Sequence, residues 1–424
     1  MKSFHNLLVP GRAKFYPAIT PNIARAAVVP HGGDRWNNRM VARSQNFFEQ
    51  YGTYFHYPCG LISAGVVLGK NQTLTPGPLM TDPAHRSADC SLIVDSGGYS
   101  IKKGHMNFHG DPTRASVLDY TINNKPDAAI TLDYPPLVVP RAGYPDYNGC
   151  RDITAENLAF IVRHCPAHLL GMFLCALQGE SEGMADDWYK TMKQFPFRNW
   201  AFAGLRYKGL PALLRQLVIM YHDGMLDETT WIHALGGYRL PLACALTTIR
   251  ETLVELLDRS INVTFDNSFI FNQVNEYGQC VRAFNLTKRG FSISFAKLPD
   301  EPKYVGSSMP FPYSGISEIS KGLTIGDLCV NRYPTKTSTW DDMSYLIVEN
   351  HNVDVYLTAL EAAHARYLLP PAEAREVCPA WLVRTREGIR RVLMSGEIDM
   401  IDRYRADFDM LTKNIDPQTA DDFR

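Results

Sequence analysis

The chain has no surplus of either charge, no paired cysteine motif and no long apolar run. Lys and Arg number 43 and Asp and Glu 44, so the 424 residues carry a formal net charge of −1. No global positive field exists to draw in a polyanion, and any nucleic-acid contact must come from a local patch. The nine cysteines stand singly, with no CxxC among them. An odd count without regular spacing argues against a disulfide framework and for a reducing compartment. No 18-residue apolar run occurs, and MKSFHNLLVPGRAKFYP at the start holds no apolar stretch of signal-peptide length. These absences predict a soluble cytoplasmic protein without a membrane partner. A repeat of fixed period and low-complexity tracts are missing too, which excludes solenoid and disordered classes.

What is present is ordinary globular material: 45% hydrophobic and 21% charged residues. The length suits a barrel of ~250 residues with additions. Short apolar runs recur, each ending in a polar residue or glycine: 60–69, 92–98, 128–136, 171–179, 200–205, 231–237 and 262–268. Continuous runs of this length suit strands buried on both faces of a parallel sheet. Helical patterns lie between them, at Thr154–Arg163 with Thr154 as cap, Asp186–Gln194, Pro211–Tyr221 and Pro241–Asp258. The alternation predicts an α/β protein, a (β/α)8 TIM-like barrel with a C-terminal helical addition, over an open doubly wound sheet. Residues 1–340 read as the barrel with an N-terminal extension, with closing strands and loops over 270–340. Residues 341–424 read as helical, with helices near Val353–His364 and Trp381–Met394.

In such a barrel functional groups collect at the C-terminal strand ends. The residues ending these runs are Asp95, Asp133, Gln178, Gly204, His233 and Asp266. One such Asp commonly caps the next helix, but several converging on one mouth suit acid–base and nucleophilic chemistry. Ser96, Gly97 and Gly98 leave backbone open to a ligand, and Tyr99 offers a flat ring to a planar base.

Taken in order, DSGGY (95–99), LDYPP (132–136), LQG (177–179), AGL (203–205), HALGG (233–237) and FDN (265–267) resemble the tRNA-guanine transglycosylase superfamily over roughly residues 60–280. The resemblance implies a barrel that exchanges a guanine in nucleic acid for a 7-deazaguanine. It implies Asp266 as nucleophile and Asp95 as general acid/base. Asp133 and Gln178 would hold the purine edge, with Gly179 beside them. Gly204, next to Leu205, would give a backbone contact, Tyr99 would stack, and Leu235, before Gly236, would cover the opposite face.

The chain departs from the tRNA enzymes in three places. Of their zinc set of three cysteines and a histidine, only Cys329 and His351 find counterparts; Thr324 and Gly326 stand at the other two positions. Two ligands rarely hold structural zinc, so no cofactor is expected. The stretch after Asp266 lacks the basic residues of the tRNA enzymes, and Ser100 follows Tyr99 where they usually carry Gln. These departures fit the DNA-directed, DpdA-type branch, which implies DNA, a base such as preQ0 and further proteins of a DNA-modification system as partners, in a bacterial or phage-infected cell. The alternatives are a tRNA enzyme lacking zinc, a barrel glycoside hydrolase using Asp95 and Asp266, and a non-catalytic nucleic-acid binder. Two basic clusters are candidates for the phosphate backbone: Arg35, Arg39 and Arg43, and Arg384, Arg386, Arg390 and Arg391.

Overall fold

The short apolar runs are strands of one closed parallel barrel. The computed structural model describes residues 2–28, 44–51, 53–73, 77–237, 239–331 and 338–412. A two-residue strand, β1 (Lys2–Ser3), pairs in parallel with β3 (Phe55–His56) outside the barrel. The barrel itself is built from β2 (Lys14–Ile19), β4 (Cys59–Ser63), β5 (Ser91–Asp95), β6 (Ala128–Ile130), β7 (Phe173–Leu177), β8 (Asn199–Phe202), β9 (Trp231–Ala234) and β10 (Asn262–Asn267). They pair in sequence order, and β10 closes on β2 with Thr264 opposite Lys14 and Asp266 opposite Tyr16. Strands β7 and β8 are buried at every position, as their unbroken apolar runs predict.

The helices alternate with these strands, but two begin earlier than their patterns suggest. The helix Tyr147–His164 is capped by Asp146, which accepts the Gly149 N–H at 2.8 Å. Thr154 lies inside it, where its hydroxyl donates to the Cys150 carbonyl at 2.8 Å. Likewise Ser181, not Asp186, opens the helix Glu182–Met192 by accepting the Met184 N–H at 3.3 Å. In both cases a better cap stood upstream of the apolar stripe. Pro241 sits in the first turn of Leu240–Leu257, where its missing N–H costs nothing. Leu205–His222 is interrupted at Gly209, just before Pro211.

The region 270–340 does not close the barrel. After β10 come a short helix, Phe269–Asn275, and an antiparallel hairpin of β11 (Gln279–Thr287) and β12 (Gly290–Lys297) that forms its own sheet. The eighth barrel strand is β2, from the N-terminal stretch. The helix Asp342–Tyr367 then packs against both Leu240–Leu257 and the short helix Pro21–Ala26, which places it at the β10–β2 seam. Tyr356 meets Phe15 of β2 with ring centroids 4.7 Å apart. Buried polar pairs fix this helix. His364 shares a 2.8 Å hydrogen bond with Thr247, Tyr367 one of 2.7 Å with Thr248, and Asn352 accepts the Val281 N–H at 2.7 Å. The C-terminal region therefore begins with a helix that completes the barrel wall. Helix Ala380–Ser395 continues outward against Leu240–Leu257. Among the described residues no helix is long and apolar enough to cross a membrane.

Candidate active site

The barrel mouth is assembled from loop backbones pinned in place by buried hydroxyls and amides. Thr131 is the central pin: its carbonyl accepts from the Ser96 hydroxyl at 3.0 Å, and its own hydroxyl accepts the Ala176 N–H at 3.0 Å. Asp133 is bracketed on both sides. Asn157 donates to the Leu132 carbonyl at 3.0 Å, and Thr154 accepts the Tyr134 N–H at 2.9 Å. Ser96 is thus buried and committed to the scaffold.

Glycine is required where these loops touch. Gly97 adopts φ +91°, and a Cβ there would lie 2.4 Å from the Gly65 Cα. A Cβ on Gly98 would lie 2.1 Å from Asp133 Oδ1 and 2.7 Å from its carbonyl oxygen. The side chain that Gly98 lacks is the space in which the Asp133 carboxyl sits. Gly98→Ala is therefore expected to weaken binding of a free purine by about tenfold or more and to lower stability by roughly 1–3 kcal/mol. Calorimetric titration and thermal melting of the variant check both.

Asp133 is buried, and Gln178 donates to its Oδ2 at 2.6 Å. Burial pushes this carboxyl up to about 7, with the Asp95 charge adding to the rise and the Gln178 bond opposing it. Asp95 ends β5 and accepts the Gly97 N–H at 3.2 Å. Burial also raises Asp95 above the usual carboxylate range, and the nearby Asp266 charge raises it further. Asp266 on β10 receives two donors on one oxygen: the Gly236 N–H at 2.8 Å and His233 Nε2 at 3.2 Å, both to Oδ1. Among the described residues its Oδ2 has no hydrogen-bond partner. Asp95 thus lies within electrostatic reach of both other carboxyls, and the three differ: burial biases Asp95 and Asp133 toward their neutral forms, while Asp266 is anchored by one oxygen.

The remaining residues of the sequence reading fall around this centre. Tyr99 is 43% exposed, with the Lys103 ammonium 5.6 Å from its ring centroid. Gly179 turns the chain after Gln178 at φ +129°, and Gly204, at φ +79°, leads into the helix that starts at Leu205. Leu235 packs half-buried against the core beside Gly236. No family of known proteins matches the chain, and neither does any curated protein.

The two zinc-set counterparts do not fit a metal. His351 is buried with both ring nitrogens engaged, Nε2 on the Val281 carbonyl at 2.8 Å and Nδ1 on the Ser317 hydroxyl at 2.7 Å. Burial pushes it down to about 4. Cys329 is buried with its thiol 3.4 Å from the Pro299 carbonyl. Thr324 and Asp327 form a capping box instead of offering ligands. Among the described residues no group of three His, Cys, Asp or Glu side chains is placed to hold a metal ion. Elemental analysis of the purified protein should return well under one zinc per chain, with no change on Cys329→Ala.

The arginine cluster of the C-terminal region is engaged within the chain, in ion pairs that stay largely solvent-exposed. Arg384 grips Asp407 through Nη2–Oδ1 at 2.7 Å and Nε–Oδ2 at 3.0 Å. Arg390 pairs with Glu255 at 2.6 Å and Arg391 with Glu387 at 2.7 Å. Arg386 donates to the Tyr367 and Leu369 carbonyls at 3.0 and 3.2 Å. The sequence shows the basic partners together and scatters the acidic ones, which the fold brings back. Arg35, Arg39 and Arg43 lie outside the described residues.

His233 is the residue whose part the sequence reading missed. It was visible as the polar residue of β9, yet nothing local to it points to Asp266. The two meet because the β9–β10 register sets His233 opposite Thr264, two positions before Asp266.

Proposed function

We propose that the protein is a guanine transglycosylase that exchanges a guanine in DNA for a 7-deazaguanine base through a covalent glycosyl–Asp266 intermediate. The observation that carries this reading is the division of labour among three carboxyls at one barrel mouth. Asp266 is held by Oδ1 with Oδ2 free, Asp95 is biased toward its neutral form, and Asp133 is coupled to an amide donor. Asp266 Oδ2 attacks C1′ of the target nucleotide. The C1′–N9 bond breaks, its electron pair leaves with the guanine, and the Asp95 proton neutralises the departing base. An incoming 7-deazaguanine gives a proton back to Asp95, forms the new glycosidic bond and displaces the Asp266 carboxylate. Ionised Asp133 accepts from the N1–H and exocyclic amine of the purine, and Gln178 turns its amide to the O6 edge. Tyr99 provides the stacking face.

The order of motifs that resembles the transglycosylase superfamily supports the same chemistry. The commitment of His351 and Cys329 to internal hydrogen bonds favours the DNA-directed branch over the zinc-bearing tRNA enzymes. The target base must leave its stack to enter a closed mouth, at a cost of a few kcal/mol. Arg384, Arg390 and Arg391 sit in solvent-exposed ion pairs of little worth, so they can exchange their carboxylates for phosphates at small cost.

The test is incorporation of isotopically labelled 7-deazaguanine into a DNA duplex and into unmodified tRNA, read by mass spectrometry of the nucleosides. Label in DNA, faster where the target guanine is mispaired, is the expected result. Label in tRNA alone transfers the reading to a tRNA enzyme, and label in neither removes base exchange.

A further inference from the structure

We infer that His233 is a positioning residue for the nucleophile, held in one tautomer by Thr264 and Trp231, and that it acts mainly on the second half of the exchange. The inference rests on the base-exchange reading above. His233 is fully buried inside the barrel, between strands, and touches no surface. Its Nδ1 lies 2.8 Å from the Thr264 hydroxyl oxygen, and its Nε2 lies 3.2 Å from Asp266 Oδ1.

The direction of each hydrogen bond follows from which contact of the Thr264 hydroxyl is the shorter. Trp231 Nε1 lies 2.8 Å from the same Thr264 oxygen, and an indole N–H only donates. Thr264 has one proton of its own. Its two acceptors within reach are His233 Nδ1 at 2.8 Å and the Ile232 carbonyl at 3.4 Å. The shorter contact takes the proton, so Nδ1 is an acceptor and the neutral ring carries its hydrogen on Nε2. That hydrogen points at Asp266 Oδ1, beside the Gly236 N–H on the same atom. Both donors lie on one side of the carboxylate, and the lone pairs of Oδ2 are left to the sugar.

A donor pair on Oδ1 does more than aim the group. In the glycosyl ester, Oδ1 is a carbonyl oxygen and a weaker acceptor than in the free carboxylate. The two N–H groups therefore favour the carboxylate over the ester. They make Asp266 a better leaving group when the incoming base attacks, and they keep the intermediate from becoming a sink. Losing the His233 donor shifts the balance toward the covalent state.

The experiment compares wild type, His233→Leu, His233→Gln and Thr264→Val on a short DNA substrate. Covalent protein–DNA adduct is quantified by denaturing gel, beside turnover of labelled 7-deazaguanine. His233→Leu is expected to lower turnover by about 10- to 100-fold, the worth of one hydrogen bond to a charged group. The fraction of enzyme trapped as adduct should rise, while the KM for the free base stays put. His233→Gln, whose amide can still reach Oδ1, should recover much of the turnover. Thr264→Val keeps the volume but frees the tautomer, and should fall between the two. It also covers the case in which His233→Leu melts too low to assay. Turnover and adduct unchanged in both His233→Leu and Thr264→Val would overturn the role of His233. So would equal losses in His233→Leu and His233→Gln with no rise in adduct. Absence of adduct and exchange in the wild type would instead strike the base-exchange reading itself.

Discussion

Asp266→Asn should abolish base exchange while leaving the fold and the affinity for free 7-deazaguanine intact. An amide oxygen is a poor nucleophile, and the ester that would carry the sugar cannot form from it. The side chain is partly buried but not packed as core, since one oxygen meets Gly236 and His233 and 13% of the side chain stays exposed. Asn keeps Oδ1 for both donors, so little stability is at stake. The expected loss is at least about 10⁴-fold in turnover, the scale of removing a covalent nucleophile. Denaturing gels should show no protein–DNA adduct, and calorimetry with the free base should match the wild type. Incorporation of label at more than a trace of the parent rate would take Asp266 out of its role.

Affinity for the free purine should depend steeply on pH, and Asp133 should be the cause. Burial sets its carboxyl near 7, so it is largely protonated in the free protein below that value and ionised above it. The purine edge presents donors, which only the ionised form can meet twice. The sign is therefore fixed: affinity weakens by about tenfold for each pH unit below 7 and levels off above it. Asp133→Asn should bind about 100-fold more weakly at pH 8, where two hydrogen bonds to a charged acceptor are lost, and its affinity should be flat from pH 5.5 to 8. A wild-type affinity that is level across that range would show that Asp133 does not hold the base through its charge. Gln178→Leu offers a second reading of the same pair, because removing the 2.6 Å donor moves the inflection upward.

The mouth of the barrel was legible in the sequence because each of its parts is written locally. Asp95, Asp133, Gln178 and Asp266 each end an apolar run, and the run predicts the strand that carries Asp95 or Asp266, or that leads into the loop of Asp133 or Gln178. What stayed hidden depends on residues far apart in the chain. Strand β2 was missed because Lys14–Ile19 carries Pro17 and lies well ahead of the regular alternation; only its pairing with β10, about 250 residues later, makes it a barrel strand. The buried contact of His233 with Asp266 spans 33 positions. The arginine cluster looked like free charge because Asp407 and Glu255 stand 23 and 135 residues from their partners. Hydrophobic period and strand-end chemistry are properties of a window, whereas neutralisation and closure are properties of the assembled fold.

The seam at which the barrel closes bears on how the chain can be made. Strand β2 leaves the ribosome some 245 residues ahead of β10, and the helix that covers their junction ends only at Tyr367. At ordinary elongation rates of ~5–20 residues per second, the early strand waits for its partner for tens of seconds. During that time β2 has β4 on one side and an open edge on the other, where Phe15 and Tyr16, the residue opposite Asp266, await β10. The nascent protein is then a half-open sheet with one unpaired barrel edge. A copy released after residue 340 would carry every strand of the barrel and still lack the helix that shuts the wall at its seam.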